Sequence, residues 1–202
     1  MARTWRALGA LFSYPTEDLQ AATSEIAAVL ADEAILSAKE RTAIGALLAE
    51  LATTDIYELQ ERYFVLFDRS RTLSLHLFEH AHGESRDRGQ AMADLLALYD
   101  GHGLEMTAGE LPDFLPLFLE FLSLLPDTEA RALLAEPAAI LRALADRLAA
   151  RDTAYARLWK RWPDWPRRRR SVDPRSPTKT QRTSSRWMPH GRKPRFASDQ
   201  AR

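Results

Sequence analysis

The chain of 202 residues contains no cysteine, which excludes disulfides, thiolate zinc sites, iron–sulfur ligation by this chain and cysteine nucleophiles. Its formal net charge of zero conceals two opposite parts. Residues 1–159 hold 14 Lys/Arg against 25 Asp/Glu, a balance of −11, and residues 160–202 hold 14 against 3, a balance of +11.

Length predicts one domain with an appendage. No stretch approaches the roughly 20 apolar residues that cross a bilayer. Arg3 and Arg6 precede a short apolar run at residues 7–12 that superficially resembles a signal peptide. The run is too brief, lacks a small-residue cleavage site and stops at Tyr14-Pro15, so the cytoplasm is the expected compartment.

Helical periodicity then dominates. Leu19, Ala22, Ile26 and Val29 fall on one face behind Thr16 as N-cap, with Glu17 and Asp18 in the first turn. Ser37 and Glu40 have capping-box spacing ahead of Ile44, Leu47, Leu48 and Leu51. Asp55 to Glu58 opens a helix whose apolar face is Leu59, Tyr63, Leu66 and Phe67. Met92, Leu95, Leu96 and Tyr99 repeat the template before a stop at Asp100-Gly101-His102-Gly103.

The stretch from Phe114 to Leu125 is apolar almost all round, which predicts a central, buried helix. Ile140, Leu141, Leu144 and Leu148 follow Pro137, and Tyr155 and Trp159 mark a last face that Pro163 ends. No alternating β-branched runs occur, so no strand is predicted. The expected fold is all-α, a single bundle of about seven or eight helices over residues 1–163. From residue 164 onward the composition turns to Pro, Arg and Ser, predicting a disordered basic tail over 164–202.

One internal stretch breaks the pattern. Residues 68–88 concentrate acids, bases and three of the five histidines between two well-formed helices. Such a connection is either a solvated loop or a functional segment. Within it His76, Glu79 and His80 match the H-x-x-E-H spacing of inverted zinc peptidases, where two histidines share a helical face and the glutamate serves as base. The pattern fixes three residues in five and lacks a third ligand, so a zinc hydrolase is kept only as the alternative. No phosphate-cradling glycine loop or G-x-S-x-G elbow is present.

The strings YFVLFDRSR at 63–71 and LFEHAHGESRDRGQAM at 77–92 resemble the NarJ family, the nitrate reductase delta subunits. LFSYP at 11–15 and ELPDFLPLFLEFL at 110–122 are similar to the family too, and the resemblance spans about residues 4–160. It implies the helical fold of the TorD-like redox-enzyme maturation chaperones and an absence of catalysis. The implied partner is the N-terminal segment of the nitrate reductase alpha (molybdenum) subunit, held ready for its cofactor and kept from early membrane docking. The molybdenum cofactor delivery machinery is a second candidate partner. The inserted cofactor belongs to the client, so none is expected in this chain, and neither nucleic-acid binding nor stable membrane association is expected.

A client tail folding as an amphipathic helix needs an apolar groove with a polar rim. Leu73, Leu75, Leu77 and Phe78 are the expected anchors; Asp68, Arg69, Arg71, Glu79, His80, His82, Glu84, Arg86 and Asp87 supply the rim, with Pro112 and Asp113 beside it. Tyr63, Phe67 and Tyr99 either extend the groove wall or pack in the core, the core being preferred for Phe67 and Tyr99. Three departures stand out. Related chaperones often carry Asp-His where this chain has Asp113-Phe114, so a proton-sensitive role tied to that histidine is not carried over. Position 76, commonly apolar in the family, is histidine. Family tails are generally acidic, whereas this one is basic; it is read either as an arm attracted to nucleic acid or anionic membrane, or as the product of a shifted reading frame in a GC-rich gene, the second being preferred.

Overall fold

A computed structural model describes residues 3–33, 36–82, 85–106, 109–151 and 153–160. The predicted tail over 164–202, Pro163 and the rim residue Glu84 lie outside the described residues.

The described residues form α1 (Arg3–Phe12), α2 (Glu17–Ala21), α3 (Thr23–Asp32), α4 (Ala38–Thr53), α5 (Ile56–Tyr63), α6 (Leu77–Ala81), α7 (Arg86–Gly101), α8 (Leu115–Ser123), α9 (Asp127–Leu134), α10 (Ala138–Ala149) and α11 (Ala154–Lys160). A π-helical turn at Phe64–Asp68 and a 3₁₀ turn at Arg71–Leu73 lie between α5 and α6. The fold is all-α, as the periodicity predicts. Eleven helices replace the expected seven or eight. The residues 16–32 form two helices, and α1, α6 and α9 are short elements whose stability comes from packing more than from a long periodic signal.

Local signals behave as their chemistry requires. Thr16 Oγ1 accepts the Leu19 N–H at 3.1 Å, and Asp55 Oδ1 accepts the Tyr57 N–H at 2.9 Å. At α4 the capping box is complete: Ser37 Oγ accepts the Glu40 N–H while Glu40 Oε2 accepts the Ser37 N–H. The N-terminus of α1 is capped from a distance. Glu33 accepts the Arg3 and Thr4 backbone N–H groups and the Thr4 hydroxyl, all at 2.7 Å. Burial works against its charge, yet these bonds hold the carboxyl below its usual range.

Helix α8 sits centrally, with Leu115, Phe118, Leu119, Phe121 and Leu122 all 2 % exposed or less. It lies against α1 so closely that a Cβ built on Gly9 would stand 2.8 Å from the Pro116 carbonyl oxygen. A second packing centre joins α1, α5 and α11. The Phe12 and Trp159 rings meet edge-on at 4.7 Å, Phe67 meets Tyr155 at 5.1 Å, and the Tyr63 hydroxyl donates to the Phe12 carbonyl at 2.8 Å. Among the described residues no helix is long and apolar enough to cross a membrane.

Candidate functional site

The charged stretch is built into the domain and is no solvated loop. The π turn ends α5 with the Arg69 N–H on the Phe64 carbonyl at 2.9 Å, which turns the chain at Asp68. Ser70 Oγ then accepts the Thr72 N–H at 3.3 Å and starts the 3₁₀ turn. Residues 74–76 run extended, and His76 forms a single antiparallel bridge with Phe114. Leu77 N–H donates to the Asp113 carbonyl at 3.0 Å and Leu115 N–H to the Leu75 carbonyl at 2.9 Å. The stretch is thereby laced to the start of α8.

Asp113 organises this junction. Its side chain is wholly buried. One carboxylate oxygen accepts the Phe78 N–H at 2.9 Å, capping α6 from outside the helix, and the other lies 3.3 Å from His76 Nδ1. The His76 ring also packs against Phe114 at 5.2 Å. The hydrogen bond to Asp113 outweighs burial and holds the His76 imidazole above its usual range, with the charges of Asp113, Glu79 and Glu110 adding to the effect. His80 is the opposite case: burial pushes its imidazole down, although its bond to the Ser74 carbonyl, Nε2 donating at 2.8 Å, works the other way.

These partners overturn the helical zinc geometry. Helix α6 begins after His76, so His76 and His80 do not share a helical face. His76 Nδ1 faces Asp113, and His80 Nε2 is a donor to a carbonyl. Among the described residues no three His, Cys, Asp or Glu side chains form a group that could hold a metal ion.

The expected binding residues separate into two sets. Tyr63, Phe67, Leu73, Leu77, Phe78, His80, Pro112 and Asp113 are buried, as is Leu75. The anchors expected to line an open groove are core instead, because lacing to Asp113–Leu115 turns them inward. Asp68, Arg69, Arg71, Arg86 and Asp87 are exposed, with Glu79 and His82 half-buried. Tyr99 is core, its hydroxyl donating to the Pro112 carbonyl at 2.8 Å. Arg147 of α10 was not anticipated; its guanidinium donates to the Thr72 carbonyl at 2.7 Å and braces the 3₁₀ turn.

Two cavities open at this junction. A polar pocket of about 290 Å³ is lined by Asp68, Arg71, Ser74, His76, Glu79 and Phe114. An apolar groove of about 700 Å³ runs between α1, α8 and the α7–α8 connection, with Leu104, Met106, Leu117, Phe121 and Leu124 on its walls and Arg6, Glu105, Glu110 and Glu120 at its edges. Phe114 borders both. Leu124, just past the end of the otherwise buried α8, stands 40 % exposed on the groove wall. An apolar groove beside a charged pocket can bind a polypeptide.

The family described as nitrate reductase delta subunit matches residues 16–160. The chain belongs to the nitrate reductase delta subunit family. Within the family it is 47 % identical over 149 residues to the nitrate reductase molybdenum cofactor assembly chaperone NarJ of Escherichia coli K12, covering 74 % of this chain and 63 % of that protein. The chain thus spans less than two thirds of the E. coli relative's length. A Bacillus subtilis (strain 168) protein named "Probable nitrate reductase molybdenum cofactor assembly chaperone NarJ" is 32 % identical over 158 residues, or 77 % of this chain and 83 % of that one. The crystal structure of an Archaeoglobus fulgidus protein described as a redox enzyme maturation protein shares the fold, with a TM-score of 0.59 at 23 % identity over 79 % of this chain and 90 % of that one.

Proposed function

We propose that this delta-family chain is a system-specific assembly chaperone. It binds the N-terminal segment of the apo catalytic (alpha) subunit of a respiratory nitrate reductase, promotes molybdenum cofactor insertion into that subunit and delays its docking at the membrane. The role is one of binding and release in the cytoplasm, with no bond made or broken, and residues 1–163 carry it.

The observation that carries this reading is the apolar groove of about 700 Å³ bordering, at Phe114, the charged pocket. An amphipathic helix laid into such a groove buries its apolar face there, while the rim charges set orientation and encounter rate. The exposed Asp68, Arg69, Arg71, Arg86 and Asp87, with the half-buried Glu79 and His82, add charge beside the groove, and the buried residues beneath them hold that stretch in place. The chaperone titles of the E. coli and B. subtilis relatives add support.

A strain lacking this gene tests the reading. It is expected to accumulate nitrate reductase catalytic subunit deficient in molybdenum, restored by the gene in trans. Fully loaded, active enzyme at the normal rate in the deletion strain contradicts it.

A further inference from the structure

The polar pocket and the apolar groove are neighbours with unequal charge. In the pocket lining, His76 faces the buried Asp113 behind it, and Glu79 has Arg88 at 3.8 Å. Arg71, the guanidinium of the lining, is itself engaged. The Asp68 carboxylate makes no ion pair and no hydrogen bond with any described residue, although burial already holds it above its usual value against the opposing pull of His76. Along the groove, Arg6 lies 3.6 Å from Glu120, which leaves Glu105 and Glu110 as acids of the rim without a described ion-pair partner. The ring that separates the two spaces, Phe114, is half-buried and presents a face to which a cation is attracted. Asp68 in the pocket and Glu105 and Glu110 along the groove are therefore the acids left for a cation to meet.

We infer that the groove and the pocket form one docking site for a cationic, amphipathic client segment, whose apolar side chains enter the groove while one lysine, arginine or terminal ammonium group crosses Phe114 to meet Asp68. This inference rests on the client-binding reading and deepens it. The client is recognised by the spacing between an apolar face and one cation, so a segment of equal hydrophobicity with its charge elsewhere is rejected.

The test uses the full chain and synthetic peptides of the client subunit's N-terminal segment, each with one lysine or arginine replaced by norleucine, titrated by calorimetry against wild type and Asp68→Asn. Asp68 is exposed, so the near-isosteric change is expected to leave the unfolding midpoint in place. The parent peptide is expected to bind Asp68→Asn about three- to tenfold more weakly. One norleucine peptide is expected to show the same loss on wild type and no further loss on Asp68→Asn, which identifies the paired cation. Equal affinity of wild type and Asp68→Asn for the parent peptide overturns the inference while leaving client binding intact. So does additive loss for every norleucine peptide. A peptide of residues 161–202 that displaces the client peptide from wild type and binds Asp68→Asn less well makes the chain's own basic segment the occupant and also overturns it. Failure of wild type to bind any client peptide removes the chaperone reading itself, and the inference with it.

Discussion

The Asp113 carboxylate, with no exposed surface, reaches His76 across 37 positions of sequence and caps Phe78 with its second oxygen. It fixes the charged stretch against α8 and sets the wall that Phe114 presents to both cavities. Asp113→Ala leaves the Phe78 N–H buried without an acceptor and is expected to lower stability by about 1–3 kcal/mol. Asp113→Asn keeps an acceptor and is expected to cost less. Urea unfolding of the two variants checks the order; equal stability of Asp113→Ala and wild type refutes the cap.

The same contact makes stability depend on pH in a predictable direction. The folded protein holds the His76 imidazole above its ordinary value, so it binds that proton more tightly than the unfolded chain does. The contribution is complete below the unfolded value of about 6.5 and disappears as pH rises through the higher folded value. The stability difference between wild type and His76→Gln is therefore expected to shrink from about pH 6 to pH 8. His80, held down by burial, has the opposite sign: its contribution is present above about pH 6.5 and is lost as pH falls. Unfolding curves of wild type, His76→Gln and His80→Gln from about pH 5 to about pH 8 check the two slopes.

Gly9 is tied to the closest approach of α1 and α8. Glycine to alanine in an exposed helix interior ordinarily stabilises by about 0.5–1 kcal/mol. Here the added methyl would meet the Pro116 carbonyl at 2.8 Å, a backbone atom that cannot rotate away. Gly9→Ala is expected to destabilise by about 1–3 kcal/mol, read from thermal or urea unfolding. A stabilised variant contradicts the α1–α8 packing.

The groove wall can be altered without touching the core. Leu124 is 40 % exposed, so Leu124→Asp is expected to change unfolding stability by no more than about 1 kcal/mol and to weaken client-peptide binding about tenfold or more. Charge should act with a defined sign. Glu105→Lys is expected to slow association, and Arg69→Glu to speed it, each falling in size as salt increases. Stopped-flow association rates decide; the reverse pair of signs rules out a cationic client.

Local chemistry made much of this fold legible. The capping box at Ser37 and Glu40, the cap at Asp55, the stop after α7 and the central α8 each depend on residues within a turn or two of one another, so their spacing carries the information. Helices α1, α6 and α9 were not legible. The acids Asp127 and Glu129 after Pro126 did mark the start of α9, but one and a half turns of apolar pattern gave little to recognise. The candidate site was legible as composition and not as geometry. Leu73, Leu75, Leu77 and Phe78 read as anchors because they are apolar, yet the partner that turns them inward, Asp113, lies beyond a whole helix in sequence. The same long-range pairing holds His76 extended and defeats the helical H-x-x-E-H reading. The groove arises only where α1, α8 and the connection around Leu104 and Met106 meet, which no local pattern encodes.

The central claim is that this chain grips the N-terminal segment of a nitrate reductase catalytic subunit. Calorimetric titration of the full chain with that peptide, from the catalytic subunit of the same genome, tests it most directly. One-to-one binding with a dissociation constant of about a micromolar or below is the predicted result, with a heat-capacity decrease from buried apolar surface. No heat and no shift in the unfolding midpoint at saturating peptide would contradict it.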